Sequence, residues 1–549
     1  MNIRARSELL KGTSIVAIFT LLSRILGFIR DVLVARLFGA GSAADAFFVA
    51  FRIPNLLRSF VAEGALTSAF VPVFSSEAAH SKESAQKALS SMLSALLFCT
   101  TILSLLGILF AERIVLLFAP GFTQDPEKLS LCVLLTQCMM PYIMCVSLIA
   151  LLNGTLNAYK VYGASAIAQV IMNICLILGA LVAGFYVAER AALILALSVI
   201  VGGVVQVIAQ IPALSKVGLV ALPSTHLLSP TTRSVAKLMV PALLGATIYQ
   251  FTIFLNTVLA SLLEDGSVSW LYYADRITQL PIGIFTISLA SVLLPNLSRL
   301  HSNENQQDFH QNLRSALNVS GFIILPICSL LMVLAEPLVS VLFERGAFTA
   351  NARIQTALAL QAYCLGLWAV SAHSMLSRAF IAKKDTTTSA LVGLVSLVSN
   401  FLFSLLLIGP LSHTDGTMGH AVSRIQLNLG LQHVQFALGH TGLALSASLA
   451  SCIACLLLAA LLGRKLPGFA WGQVISANLK SLIAALVCGA VAFWVSQQFT
   501  NHLYLLCLSA FAGLSSYTAI SFLLKSDELH ETLRIFSRIV SRGRKQSTR

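Results

Sequence analysis

Residues 23–70 read SRILGFIRDVLVARLFGAGSAADAFFVAFRIPNLLRSFVAEGALTSAF. Leu, Ile, Val and Phe recur here as they do in membrane helices, yet the stretch also carries Arg24, Arg30, Asp31, Arg36, Asp45, Arg52, Arg58 and Glu63. An ionisable side chain at the bilayer centre costs at least about 2.5 kcal/mol on insertion scales, so charges within a span face a bundle interior or a watery cavity. Spacing agrees: Arg24 and Asp31 are seven residues apart, as are Asp45 and Arg52, which sets each pair near one helix face.

The rest of the chain says that the surroundings are lipid. Of its 549 residues, 57% are hydrophobic and 11% charged, where a soluble domain has roughly 25% charged. Apolar runs of about 20 residues recur throughout, each able to cross a hydrocarbon core of roughly 30 Å as a helix. Segmentation gives about fourteen spans, near 13–38, 45–76, 88–111, 129–155, 163–186, 191–213, 236–263, 268–298, 313–335, 355–380, 388–410, 441–463, 476–496 and 502–524. The expected fold class is an all-α polytopic membrane protein. Arg4, Arg6 and Lys11 precede the first run, but no small-residue cleavage site follows it, so it reads as a retained span.

With both termini placed in the cytoplasm, roughly 22 Lys and Arg fall inside and about 6 outside, the positive-inside asymmetry. The net charge of +14 therefore reports orientation and calls for no nucleic acid. Arg534, Arg538, Arg542, Arg544, Lys545 and Arg549 follow the last span and suit anionic headgroups. Eleven cysteines are scattered through apolar spans; Cys452 and Cys455 form a CxxC with no second pair to complete a zinc site, so they read as packing residues. There is no Walker motif for nucleotide hydrolysis. Nor is there a paired-carboxylate metal site or clustered phosphatase motif, which leaves a polyprenyl-phosphate enzyme without its machinery.

The chain repeats itself. GSAADAFF from Gly41 is matched by GSVSWLYY from Gly266, and ALTSAFVP ending at Pro72 by SLASVLLP ending at Pro295. AERIVLLFAPGF from Ala111 parallels AEPLVSVLFERGAF from Ala335, and Asn173 parallels Asn400. The offset of roughly 225 residues holds six spans, an even number, so both halves enter the bilayer from the same side, as in duplicated transporters. The expected division is 1–215 and 216–463 for the two six-helix lobes, 464–524 for two extra helices, and 525–549 for a basic tail. Residues 411–440 make a long polar connection with His413, His420, His433 and His440, without a Cys or clustered carboxylates to complete a zinc site. Within it RIQLNLGLQHVQF alternates apolar and polar residues and suits an interfacial strand or hairpin.

The first two spans hold five arginines against Asp31, Asp45 and Glu63, a surplus of positive charge, and in the matching second-half span Arg276 follows Asp275. Mutual pairing or snorkelling accounts equally well for Arg36, Arg52 and Glu63. If the halves face one another, Arg24, Arg30, Arg58 and Arg276 line one cationic cavity. Arginine's planar fork stays protonated and suits phosphate or pyrophosphate.

The charged stretch, together with GSVSWLYYADRITQLPIGIFTISLASVLLP from Gly266, closely resembles the MurJ (MviN) family of lipid II flippases, and RAFIAKKDTTT from Arg378 resembles it moderately. The resemblance implies the fold of the multidrug, oligosaccharidyl-lipid and polysaccharide exporters: two six-helix lobes around a central cavity, plus two C-terminal helices that form a groove for a polyprenyl tail. It implies a transporter in the bacterial inner membrane, moving undecaprenyl-pyrophosphate-linked disaccharide-pentapeptide between leaflets for cell-wall assembly and cell shape. Partners would be lipid II, membrane lipids and the cell-wall synthesis machinery. By motif position it implies Arg24, Arg30, Arg58 and Arg276 as cavity residues, with Asp31, Asp45 and Asp275 as acidic partners. It requires no cofactor; membrane potential or an ion gradient would supply energy. A related member of the family binds sodium in its second lobe with acidic and amide residues, whereas the corresponding positions here, Asn256, Ser396 and Asn400, hold no carboxylate. Rival readings are another lipid-linked polysaccharide or multidrug exporter and a scaffold that keeps the fold without using the arginines.

Overall fold

The computed structural model describes residues 3–60, 66–161, 163–225, 227, 229–409, 411, 417–430 and 436–529. Glu63, His413, His433 and residues 530–549 of the basic tail lie outside these residues. Among the described residues the regular structure is helical, in twenty α-helices. Eleven segments among the described residues are long and apolar enough to cross a membrane. The three other expected spans are helices too. The first is α1 (Ile3–Phe38), the second is covered by α2 (Ser42–Phe60) and α3 (Leu66–His80), and the third is α10 (Pro230–Ser261). The protein is an all-helical, multi-pass membrane protein.

The chain divides into two compact units, the first comprising residues 1–269, 345–349 and 410–429. Besides α1, α2, α3 and α10 it holds α4 (Lys82–Leu109), α5 (Ala111–Phe118), α6 (Pro126–Met139), α7 (Tyr142–Ala158), α8 (Gly163–Ala183) and α9 (Ala188–Lys216). Local chemistry sets several starts. Ser81 caps α4, Asp125 caps α6 ahead of Pro126, and Ser229 caps α10 ahead of Pro230, each side chain accepting from first-turn amides left without helical partners. Its core packs Phe70 and Phe74 of α3, rings 5.0 Å apart, against Leu89 and Met92 of α4 and Leu151 of α7.

The second unit holds α11 (Ser267–Pro281) from Trp270 onward, α12 (Ile287–Ser302), α13 (Gln306–Val333), α14 (Ala335–Phe343), α15 (Ala350–Ala382) and α16 (Thr386–Leu407). After α17 (Thr417–Asn428), which belongs to the first unit, come α18 (Gly439–Lys465), α19 (Trp471–Ser496) and α20 (His502–Leu523). Pro281 withholds a backbone donor, and residues 282–286 pass into a π-helical turn before α12. At that turn the Thr286 hydroxyl lies 2.8 Å from Ser371, which lies 2.8 Å from Ser320. Apolar packing around Leu293, Leu313, Met375 and Leu458 ties α12, α13, α15 and α18 together. Tyr517 ties α20 to α13, its hydroxyl donating to the Phe322 carbonyl at 2.7 Å.

The duplication is visible in the backbone of each unit. Phe110, between α4 and α5, has φ −101° and ψ 18°; its counterpart Leu334, between α13 and α14, has φ −100° and ψ 17°. Lys160 after α7 and Lys384 after α15 are both left-handed, at φ 62° and 61°. Each turn closes by the same pair of bonds, Lys160 N–H to Asn157 O and Val161 N–H to Leu156 O, then Lys384 N–H to Ile381 O and Asp385 N–H to Phe380 O. These are the bonds of a helix end that glycine usually serves, kept here on lysine at both places.

Where the strand or hairpin expected over 424–436 falls on described residues, 424–428 form the end of helix α17, and 431–435 lie outside the described residues. Met418, Val422, Ile425 and Leu429 recur every three or four residues, a helical stripe that the alternation around Leu427 conceals in the sequence. Val422 and Gln426 are buried, and Gly430, at φ 67°, follows the helix where a left-handed residue ends it.

Candidate functional site

Arg30 is the best-defined of the expected cationic residues. It lies on α1, which packs along α8, and its side chain keeps 13% of its surface. Its Nε and Nη2 donate to Asp31 Oδ1 at 3.0 and 2.7 Å, and Nη1 donates to Asn173 Oδ1 at 3.1 Å. Asn173 stands near the middle of the membrane-spanning helix Gly163–Ala183, so the guanidinium is held at membrane depth. Asp31 is 3% exposed, and the pair satisfies the condition on which a charge is tolerated there, an opposite charge with good geometry.

Asp45 is placed otherwise than beside an arginine. It is 1% exposed and meets Lys128 Nζ at 3.0 Å, while the same ammonium reaches Asp265 at 2.7 Å and lies 4.2 Å over the Phe122 ring. The Asp45 carboxylate also accepts the N–H groups of Gly266 and Ser269, at 2.8 and 2.9 Å, and the Ser269 hydroxyl. Three charged side chains thus draw the start of α2, the start of α6 and the turn at 265–269 together. Lys128 was not singled out by sequence; its signal is a lone lysine opening an apolar span three residues after a capping Asp.

The remaining expected residues sit in separate surroundings. Arg58 is half-buried near the end of α2 and donates through Nε to Asn55 Oδ1 at 3.0 Å, and Arg24 is half-buried on α1. Arg52 donates to the Thr257 hydroxyl at 2.6 Å. In the second unit, Arg276 lies one helical turn from Tyr272, its Nη2 donating to the phenol at 2.9 Å and its guanidinium 4.9 Å from the ring centre. Asp275 accepts from Gln279 at 3.4 Å.

Of the amide positions, Asn400 is 2% exposed and neither of its amide atoms has a hydrogen-bond partner among the described residues. Ser396 donates to the Ala450 carbonyl at 3.5 Å. Buried His440 packs on Trp270, rings 4.7 Å apart, with Nε2 3.0 Å from the Gln355 carbonyl, whereas His420 is exposed on α17. No group of three or more His, Cys, Asp or Glu suited to a metal occurs among the described residues.

Comparison with known proteins gives one family. The profile described as "Lipid II flippase MurJ" matches residues 34–434. A "Probable lipid II flippase MurJ" of Buchnera aphidicola subsp. Acyrthosiphon pisum is 37% identical over 407 residues, 74% of this chain and 80% of that protein. The "Lipid II flippase MurJ" of Burkholderia cenocepacia is 36% identical over 423 residues, 75% of this chain and 82% of that protein. Among solved structures, one titled "Lipid II flippase MurJ, inward closed conformation" superimposes with TM-score 0.76 at 27% identity, over 93% of this chain and 99% of that one. A multidrug resistance MATE transporter, at TM-score 0.62 and 15% identity over 83% of this chain and 96% of its own, shares the fold.

Proposed function

Because the chain belongs to the MurJ family of lipid II flippases, we propose that it grips the pyrophosphate of undecaprenyl-linked lipid II and carries it from the inner to the outer leaflet of the bacterial cytoplasmic membrane. It is a transporter, not an enzyme. The observation that carries the pyrophosphate reading is the Arg30 fork, fixed at membrane depth by Asp31 and Asn173. With Asp31 beside Arg30, the arginines Arg24, Arg30, Arg58 and Arg276 take the phosphoryl oxygens, which Arg is built to meet two at a time.

Transport proceeds by alternating exposure of the headgroup site to the two membrane faces. The polyprenyl tail stays in lipid, flanked by α19 and α20, whose outward residues include Leu486, Trp494, Phe511 and Phe522. No bond is made or broken. Membrane potential, about 2.3 kcal/mol per charge per 100 mV, is sufficient to bias a charged site. Both termini face the cytoplasm in this reading, and the functional lobes follow the duplication, 1–215 and 216–463, with 464–524 as the tail groove.

Purified protein in liposomes containing fluorescent lipid II tests it. The chain should move lipid II between leaflets, and Arg30→Ala and Arg276→Ala should abolish movement while reconstituting normally. Full movement by either variant would overturn the pyrophosphate grip. Movement of unrelated amphiphiles in place of lipid II would assign the chain to another export task.

A further inference from the structure

Asn173 makes more hydrogen bonds than packing requires. Its Nδ2 donates to the carbonyls of Ser23 and Gln169, at 2.9 and 3.1 Å, and lies 3.2 Å from the Ser23 hydroxyl; its Oδ1 accepts from Arg30. The orientation of the amide is settled by chemistry. Two carbonyls can only accept, so the nitrogen faces them, and Arg30 can only donate, so the oxygen faces it. One side chain on α8 therefore clamps α1 at Ser23 and points a neutral acceptor at the guanidinium one and a half to two helical turns further on.

The guanidinium has five N–H groups. Asp31 takes one from Nε and one from Nη2, and Asn173 takes one from Nη1, which leaves one N–H on each terminal nitrogen. An arginine held only by Asp31 could swing about that carboxylate. The second acceptor fixes the plane of the fork. Charge explains why this acceptor is an amide: a carboxylate at 173 would add negative charge beside the fork and oppose a phosphate.

We infer that Asn173 is a positioning residue for substrate recognition, setting the Arg30 fork so that its two outward N–H groups meet a diphosphate. This rests on the pyrophosphate reading above. It predicts that Asn173→Ala loses the orientation but not the charge, and that Asn173→Asp opposes the anion directly.

The test measures affinity of the purified full chain for undecaprenyl pyrophosphate by titration in detergent. Arg30→Ala should bind too weakly to saturate. Asn173→Ala should weaken binding about tenfold, as expected for one charge-assisted hydrogen bond. In an Arg30→Lys background, where there is no fork to orient, the same change should cost less than about twofold, the coupling expected of residues acting through one contact. Asn173→Asp should bind weakly at neutral pH and regain affinity as acid neutralises the introduced carboxyl. A purely architectural Asn173 would give equal losses in both backgrounds and no recovery in acid, and either result overturns the inference. Undiminished binding by Asn173→Ala with loss in Arg30→Ala would overturn the inference alone, and undiminished binding by Arg30→Ala would overturn the pyrophosphate reading itself. Should Asn173→Ala fail to fold, the near-isosteric Asn173→Asp carries the test through its pH response.

Discussion

Lys128 is a cation withdrawn almost wholly from solvent, at 4% exposure, between Asp45 and the more exposed Asp265. Removing one member of a buried pair leaves the other charge without its counter-ion, which costs about 3–5 kcal/mol, whereas replacing the pair with apolar groups of similar volume is often neutral. Lys128→Met should therefore lower the thermal unfolding temperature sharply, and adding Asp45→Asn, which removes the charge and keeps an acceptor for the Ser269 amide, should recover much of the loss. A single variant as stable as the parent would show that the cluster is solvated and contributes little. At Arg30 the account is chemical rather than structural. Arg30→Lys should keep the protein folded and retain weak lipid II binding, because an ammonium supplies charge without the fork that Asp31 and Asn173 orient.

Helix ends carry predictions of their own. Lys160 and Lys384 occupy left-handed conformations that cost a side-chain-bearing residue roughly 1–2 kcal/mol, so Lys384→Gly should raise thermal stability by about 1 kcal/mol. A lower stability would mean that the lysine side chain contributes more than the strain it brings. The residue after it, Asp385, caps α16. The Lys465 ammonium, with help from the Thr388 hydroxyl and N–H, holds the Asp385 carboxyl down at about 2, below its ordinary 3.8. A depressed acid stabilises the fold above its ordinary value and loses that contribution as pH falls toward the folded value. Parent protein should thus lose stability between about pH 4 and pH 2 in excess of Asp385→Asn, with thermal melts across that interval as the measure. Parallel curves would remove the pair from the stability of this end of α15 and α16. The α17 helix shows the limit of period at element scale: an alternating run in which every third or fourth residue is also apolar fits two templates, and tertiary burial of Val422 and Gln426 decided between them.

Across the whole molecule, what the sequence disclosed best was what lipid enforces. Hydrocarbon obliges every backbone group to bond within its own helix, so long apolar runs had one reading, and the duplication survives as matched turns at Lys160 and Lys384. Charged residues on α1 and α2 were legible because a membrane makes them costly, and Arg30 is where that reasoning reached a defined geometry. Lys128 escaped notice because a lone lysine near a span end ordinarily snorkels, and only three-dimensional packing brings Asp45 and Asp265 to it. Asn173 was visible as one member of a repeat pair with Asn400, but an amide in an apolar helix does not announce which arginine it faces.

The most direct test of the central claim is outer-leaflet exposure of lipid II in cells depleted of their own flippase, supplied with this chain or with its Arg30→Ala form at equal membrane abundance. The account predicts that the chain restores exposure and the variant does not. Exposure restored equally by both, or by neither, would contradict flipping through an arginine-held pyrophosphate.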